Sequence, residues 1–361
     1  KIIIVDNDAS DNCRDLVNEK WPDVNIFVNE ENAGFAKANN IALSKSCGKY
    51  ILFLNPDTLL TTCTITECFR VFEKYAQCGA LGVRMLDGNG KFLSESKRAI
   101  PSASNTFYKL SGLASIFPQS KIFNNYALGN LPEDKLQQAP VLSGAFMMVK
   151  KKVLEKTGGF DESYFMYGED IDLSYRISRA GYENMYAGHL PIIHFKGEST
   201  NKNQPEYAKR FYGAMDIFVS KYYSGSTGAI KKIFLRAGIF SASLFYKIKI
   251  LLSNSHAVKK NKTSEESAFI LTGDAEGMEE AHALLLKNNI QENRISKTQT
   301  IATMNDQSHT AIIFCLGTNT LEEVISVMQQ NNHAAYYFHY TGSKSIIGSS
   351  DKNIAGNFYT S

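Results

Sequence analysis

The run GGFDESYFMYGEDIDLSYRISRAGY is the densest set of residues in the chain that could move a proton. Gly168 interrupts what precedes it, so Glu169 and Asp170 fall in the first turn of a helix that stops at Gly181, where the helix dipole favours negative charge. A carboxylate held there stays ionised and is available as a general base; plain stabilisation of the helix N-terminus is the alternative. At about 100° per residue Asp170 and Asp172 point about 200° apart. They cannot both face one site, and Asp172 instead forms an (i, i+4) pair with Arg176 and reads as structural. A further carboxylate, Asp57, ends the stretch YILFLNPDT, beyond five apolar residues, Asn55 and Pro56. In covered parallel sheets ligands bind past the carboxyl ends of the strands, which would put Asp57 in a crevice. The alternative is a turn in which Asp57 or Thr58 caps the next helix. His194 ends the apolar strand of PIIHFKGES, where a hydrogen-bonded structural role is the plain reading, and His189 reads as a turn or surface residue.

These residues need a frame, and the sequence alternates strand and helix to supply one. KIIIVD is a strand and a helix follows through Cys13 to Lys20, closed by Trp21-Pro22. VNIFVNE is a strand, NAGFAKANNIALSKSCG a loop and helix ending at Gly48, and YILFL a strand apolar on both faces. CTITECFRVFEKYAQCG is a helix closed by Gly79 and ALGVRML a strand. DGNGKFL turns the chain into an irregular stretch at about residues 95 to 138, the kind that often holds a functional loop. After about Tyr223 an apolar segment punctuated by Lys231, Lys232, Arg236, Lys247 and Lys249 is too short of uncharged residues to span a bilayer. It is expected to lie on a membrane surface through residues 229–252, with packing on the catalytic domain as the alternative. HAVKKNKTSEES reads as a linker. Beyond it strands and helices alternate again, and TGDAEG has two glycines but not a full dinucleotide-binding fingerprint, so simple turn chemistry is expected there.

With 361 residues the chain can bury a large core and is expected to form more than one domain: 1–225, a helix and linker over 226–265, and a smaller α/β domain over 266–361. The 43% hydrophobic and 21% charged content is ordinary for a globular protein, and a net charge of +3 does not call for nucleic acid. Six cysteines without a CxxC pair read as reduced thiols facing the cytoplasm. The opening KIIIVDNDAS, apolar and without Met, is read as the start of a fragment lacking its natural N-terminus.

The motifs VDNDASD, NAGFAKANN, FLNPDT, SGAFMMVKK, GGFDESYFMYGEDIDLSYR and HFKGES, in this order over roughly residues 1–200, resemble bacterial family 2 glycosyltransferases of the rhamnosyltransferase-like branch. The resemblance implies a GT-A fold, α/β and Rossmann-like, with a mostly parallel sheet and helices on both faces. It also implies a nucleotide-diphosphate sugar donor, a divalent metal (Mn²⁺ or Mg²⁺) and transfer with inversion. By resemblance Asp170, beside Glu169, is the base, and Asp57 is the metal carboxylate with His194 as a further ligand. Asn55 stands on the donor side where the family's metal motif commonly has a first Asp. Asp6 would contact the nucleotide base or ribose, Gly34, Phe35 and Asn39 would lie near the donor, and Gly144 and Ala145 would line the acceptor side. A lipid-linked saccharide is the expected acceptor, at the inner face of the plasma membrane, and one earlier βα unit is expected to complete the base pocket. The C-terminal domain is expected to dock a partner or regulate. The rival readings are a nucleotidyltransferase and a non-catalytic sugar-nucleotide scaffold or sensor.

Overall fold

The computed structural model describes residues 1–7, 13–102, 105, 108, 113–195, 205–223, 236, 268–298, 310–317, 320–330, 335–348 and 357–360. The chain opens with β1 (Ile3–Asp6), the helix Cys13–Lys20, β2 (Asn25–Val28) and the helix Phe35–Ser44. β1 and β2 pair in parallel as a sheet of their own. β3 (Tyr50–Leu54) and β4 (Thr58–Leu60) flank the turn at Asp57. The helix Thr64–Lys74 and β5 (Cys78–Leu86) follow, then the short β6 (Lys97–Arg98), β7 (Leu136–Gln138), β8 (Val141–Leu142) and β9 (Phe146–Lys150). The helices Lys151–Thr157 and Glu169–Arg179, β10 (Glu183–His194) and the helix Pro205–Tyr222 complete this part.

The central sheet runs β3-β9-β5-β10-β4, with β7 also on β10. Only β5 and β10 pair in parallel, over a long register from Glu183↔Cys78 to Ile193↔Leu86; β3–β9, β5–β9, β10–β4 and β10–β7 are antiparallel. The expected α/β class with helices on both faces is present, but the central sheet is mixed rather than mostly parallel. An apolar run shows that a strand is buried; it does not encode the direction of its partner.

β3 also departs from the expected burial on both faces. Ile51 and Phe53 are buried, whereas Tyr50 and Leu52 are half-buried and Leu54 is 41% exposed. The period of two explains the split. Ile51 and Phe53 lie beside Val149 and Met147 of β9 in the core covered by Ala36, Val153, Leu173 and Ile177 from three helices. Tyr50 and Leu52 lie on the opposite face with Met148, Leu81 and Phe72, where Cys68, Val71 and Phe72 of the Thr64–Lys74 helix recur at i, i+3 and i+4.

A second sheet runs β12-β11-β13-β14-β15-β16, made of β11 (Ala268–Gly273), β12 (Ile295–Thr298), β13 (Thr310–Leu316), β14 (Ala335–Tyr340), β15 (Ser345–Gly348) and β16 (Asn357–Thr360). Its first four strands pair in parallel, and the β14–β15 and β15–β16 pairings are antiparallel. The helices Ala275–Lys287 and Leu321–Gln330 pack on it, so a smaller C-terminal α/β unit is present as expected. TGDAEG is a helix cap: Asp274 accepts from Gly277 N at 3.1 Å and from Thr341 Oγ1 at 3.0 Å. The segment 229–252, apart from Arg236, lies outside the described residues, as does the linker HAVKKNKTSEES. No helix among the described residues is long and apolar enough to cross a membrane.

Neighbouring positions on β3 therefore make opposite demands. Phe53→Ala should cost about 3–5 kcal/mol by urea unfolding, while Leu54→Ala should change stability by no more than about 0.5 kcal/mol.

Candidate active site

Asp57 is set by a short turn. Asn55 N donates to Ala145 O at 2.9 Å, tying the end of β3 to the start of β9, and Thr58 Oγ1 donates to Asn55 O at 2.8 Å. β4 then returns along β10, with Thr58 opposite His194. This brings His194 Nε2 to 3.3 Å from Asp57 Oδ1, both side chains nearly buried, and Phe195 N donates to the Asp57 carbonyl at 3.0 Å. The Asp57 side chain is no helix cap: residues 58–60 are a strand. An oxygen and a nitrogen at this separation suit adjacent positions on one divalent ion, and His194 Nδ1 is buried with no hydrogen-bond partner among the described residues. No group of three or more His, Cys, Asp or Glu side chains among the described residues is placed to hold a metal. The pair would therefore need further ligands from a bound substrate or water.

The carboxylates of the Glu169–Arg179 helix are divided among different neighbours. Asp170 is half-buried; its Oδ2 takes a bond from Arg98 Nη2 at 2.5 Å and one from Gly144 N at 3.2 Å, and its Oδ1 takes Ile171 N at 2.8 Å. Burial works against the charge on Arg98, but Asp170 and Tyr126 outweigh it and hold the guanidinium above its ordinary range. Glu169 is buried, and its Oε2 finds no hydrogen-bond partner among the described residues. Burial first, and the adjacent Asp170 charge second, push its carboxyl up to about 8. Asp172 is fully buried and bonded to Arg176 Nε at 2.6 Å, Lys221 Nζ at 2.7 Å and Tyr222 OH at 2.6 Å, which bears out its structural reading.

Arg98, in the irregular stretch that drew no residue-level expectation, is placed by β6 pairing with β8. Its neighbour Lys97 is buried with Nζ donating to Leu128 O at 2.8 Å and Leu131 O at 3.2 Å, which pins that stretch to the site. Tyr167 and Gly168 are consecutive residues with positive φ, 70° and 83°. Glycine adopts that region freely and tyrosine rarely, so the backbone is strained where the helix is aimed. Arg98, Tyr167, Glu169 and Asp170 line a cavity of about 80 Å³ whose far wall is Phe211, Met215 and Phe218 of the Pro205–Tyr222 helix. A basic residue in a loop was the readable signal for Arg98; nothing in the sequence marks a left-handed tyrosine.

The remaining expected residues fall at graded distances from these groups. A Cβ added to Gly144 would lie 3.4 Å from Asp170 Cβ and 3.5 Å from the Phe35 ring, so Gly144, Phe35 and Asp170 meet at one point, and Ala145 joins them to Asn55. Gly34 has φ 83°, and a Cβ there would lie 2.5 Å from Phe165 O, so the glycine is required for packing on Phe165. Asn39 Nδ2 is engaged with Phe35 O of its own helix at 2.9 Å. Asp6 is half-buried at the tip of β1, its carbonyl accepting from Asn29 N at 2.8 Å. The organising residue there is Asn7, which bonds Asn29, Asn32 and Ala33 and was not singled out from sequence. His189 is exposed at the bulge in β10.

Comparison with known proteins adds the class. Residues 1–158 match the family profile Glycosyl transferase family 2. An N-acetylglucosaminyl-diphospho-decaprenol L-rhamnosyltransferase of Mycobacterium tuberculosis is 25% identical over 235 residues, 62% of this chain and 76% of that protein. Rhamnosyltransferase WbbL of Escherichia coli is 28% identical over 188 residues, 49% of this chain and 66% of that one. Among solved structures, the mannosyltransferase PcManGT from Pyrobaculum calidifontis in complex with GDP-Man and Mn²⁺ aligns over 71% of this chain and 66% of its own, at 16% identity and a TM-score of 0.42. Residues 1–158 carry the family 2 glycosyltransferase match, and the chain is similar in sequence to proteins named rhamnosyltransferases.

Glu169 gives the site a pH signature. Its carboxyl binds its proton more tightly folded, up to about 8, than at its ordinary value of 4.5. The folded state then holds more protons than the unfolded one between these values. Its stabilising contribution is complete below about 4.5, falls as pH rises, and levels off above about 8. Glu169→Gln should remove this slope, so thermal unfolding of variant and wild type should diverge in the variant's favour from about pH 5 to 8 and run parallel above it.

Proposed function

We propose that this chain transfers a sugar, rhamnose being the first to test, from a nucleotide-diphosphate donor to a lipid-linked saccharide in cell-surface glycan synthesis, with inversion at the anomeric carbon. The observation that carries the reading is one backbone bond, Asn55 N to Ala145 O, which sets two chemically different groups side by side. On one side stand Asp57 and His194; on the other stand Gly144 and Asp170. Inversion needs a base on the face opposite the leaving group, and two separate groups of this kind support that reading. The names of the relatives supply rhamnose and a lipid diphosphate acceptor.

Asp170 is the proposed base. Arg98 and two backbone N–H groups fix its orientation, so an acceptor hydroxyl entering the cavity meets a carboxylate already in place. The same bonds stabilise its anion and cost it basicity, so the proton transfer requires Arg98 to loosen or share its contact. Glu169 keeps its proton at neutral pH, which spares Asp170 a second adjacent charge. Asp57 and His194 are proposed to hold a divalent cation, Mn²⁺ or Mg²⁺, whose chemistry when bound is to neutralise the charge on the departing diphosphate. Gly34 and Phe35 shape the wall between donor and acceptor sides; Asp6 is proposed for the nucleoside and Asn39 and Asn55 for the donor. The site, with the exposed surface beside it, is proposed to work at the inner face of the plasma membrane.

The test separates the two groups. A transfer assay with dTDP-rhamnose and a decaprenyl-diphosphate N-acetylglucosamine acceptor is run beside thermal shifts with UDP, GDP and dTDP, with and without Mn²⁺. Asp170→Asn should lose at least about 100-fold in kcat, the scale of general base catalysis, and keep any Mn²⁺-dependent shift. Asp57→Ala should lose transfer and that shift together, since only binding to the native state raises apparent stability. Normal transfer by Asp170→Asn would remove it as the base.

A further inference from the structure

The C-terminal unit does not stand apart from the catalytic sheet. Leu86 and Ile193 of the central sheet and Phe195, just past β10, share one buried cluster with Ile312, Phe314, Met328 and Phe338 of the C-terminal unit, and Leu59 and Phe92 pack against it. The Phe195 and Phe338 rings meet edge to face with centroids 5.7 Å apart. A Cβ added to Gly90, in the turn after β5, would lie 2.9 Å from Met328 Cβ and 3.2 Å from its backbone, so the two units touch closely there. At the rim, Thr62 Oγ1 and Cys63 Sγ both donate to Glu322 Oε1 at 3.3 Å.

The residues in this shared core are the chain neighbours of Asp57 and His194. Leu59 follows Asp57 by two positions, and Ile193 and Phe195 flank His194. Side chains alternate along a strand, so anchoring Ile193 and Phe195 on one face turns His194 to the other, and Asp57, in the turn before β4, reaches its Nε2 at 3.3 Å. The backbone repeats the arrangement: Thr58 pairs with His194, Leu59 with Ile193, and Phe195 N with the Asp57 carbonyl. β4 has only three residues and lies at the edge of the sheet, so little else within the central sheet fixes its position.

We propose that the C-terminal unit is a positioning element of the Asp57–His194 site: Phe338, through Phe195 and Leu59, holds the ends of β4 and β10 so that carboxylate and imidazole stay within reach of one cation. The unit is then part of the transferase site and not a partner-docking module. This rests on the proposed metal role of Asp57 and His194.

The test uses the full chain and the binding of Mn²⁺, read by the loss of its free electron-paramagnetic signal, in the presence of UDP, GDP and dTDP in turn. Four variants are compared with wild type: Asp57→Ala, Phe338→Ala, Phe338→Leu and Leu271→Ala. Leu271 is fully buried on the opposite face of the same C-terminal sheet and serves as a matched core truncation. Expected are at least a tenfold weaker Mn²⁺ affinity in Phe338→Ala, a smaller loss in Phe338→Leu, and wild-type affinity in Leu271→Ala despite a lowered melting temperature. Should Phe338→Ala fail to fold, Phe338→Leu against Leu271→Ala decides. Equal affinities in the Phe338 and Leu271 variants overturn the positioning role while leaving the metal reading intact. Wild-type Mn²⁺ binding that is absent, or indifferent to Asp57→Ala, overturns the metal reading and this proposal with it.

Discussion

Three carboxylates within four residues, Glu169, Asp170 and Asp172, lie at the start of one largely buried helix, and each must be neutralised where water is scarce. An unpaired buried charge costs several kcal/mol, so the surroundings of this turn are built around its charges. Each carboxylate is handled differently. Asp170 faces Arg98, Glu169 keeps its proton, and Asp172 takes Arg176, Lys221 and Tyr222. Apart from Arg176, on the same helix, these partners come from elements far apart in sequence. The demand of one helical turn therefore fixes the strand carrying Arg98, the helix carrying Lys221 and the cavity between them.

Arg176 extends the same logic, because it also donates to the carbonyls of Thr157 and Gly159 and so ties the helix Lys151–Thr157 to its neighbour. The central sheet under this helix presents two apolar faces, and β9 serves both: Met147 and Val149 to one core, Phe146 and Met148 to the other. A strand buried on both sides has little freedom to shift. Gly144 and Ala145, at its start, inherit that rigidity and pass it to Asp170 and Asn55.

The α/β alternation, the Asp172–Arg176 pair and the placing of Glu169 and Asp170 in a first helical turn were legible because each depends on local chemistry: caps, helical spacing and apolar runs. Asp57 and His194 were legible only as separate strand-end residues, since their pairing depends on how β4 folds back on β10. Arg98 and the strained Tyr167 were missed for a related reason. A loop arginine finds its carboxylate 72 residues away, and a positive φ at tyrosine is imposed by packing. The sense of the sheet was misjudged because burial, which sequence shows, does not determine direction. The C-terminal alternation was legible; its shared core with the first sheet was not, because an apolar face does not announce its partner.

The bond between Asn55 N and Ala145 O has a consequence for selectivity. On the proposed reading it joins the strand ends that carry the departing and arriving partners, and β3 and β9 are paired along their whole lengths behind it. The separation between the two reacting molecules then behaves as a fixed gauge, not as a loop that closes around whatever is bound. An enzyme with such a gauge tells acceptors apart by how far a hydroxyl stands from the body of its sugar ring. It is poorly equipped to correct for an acceptor that is one atom too long.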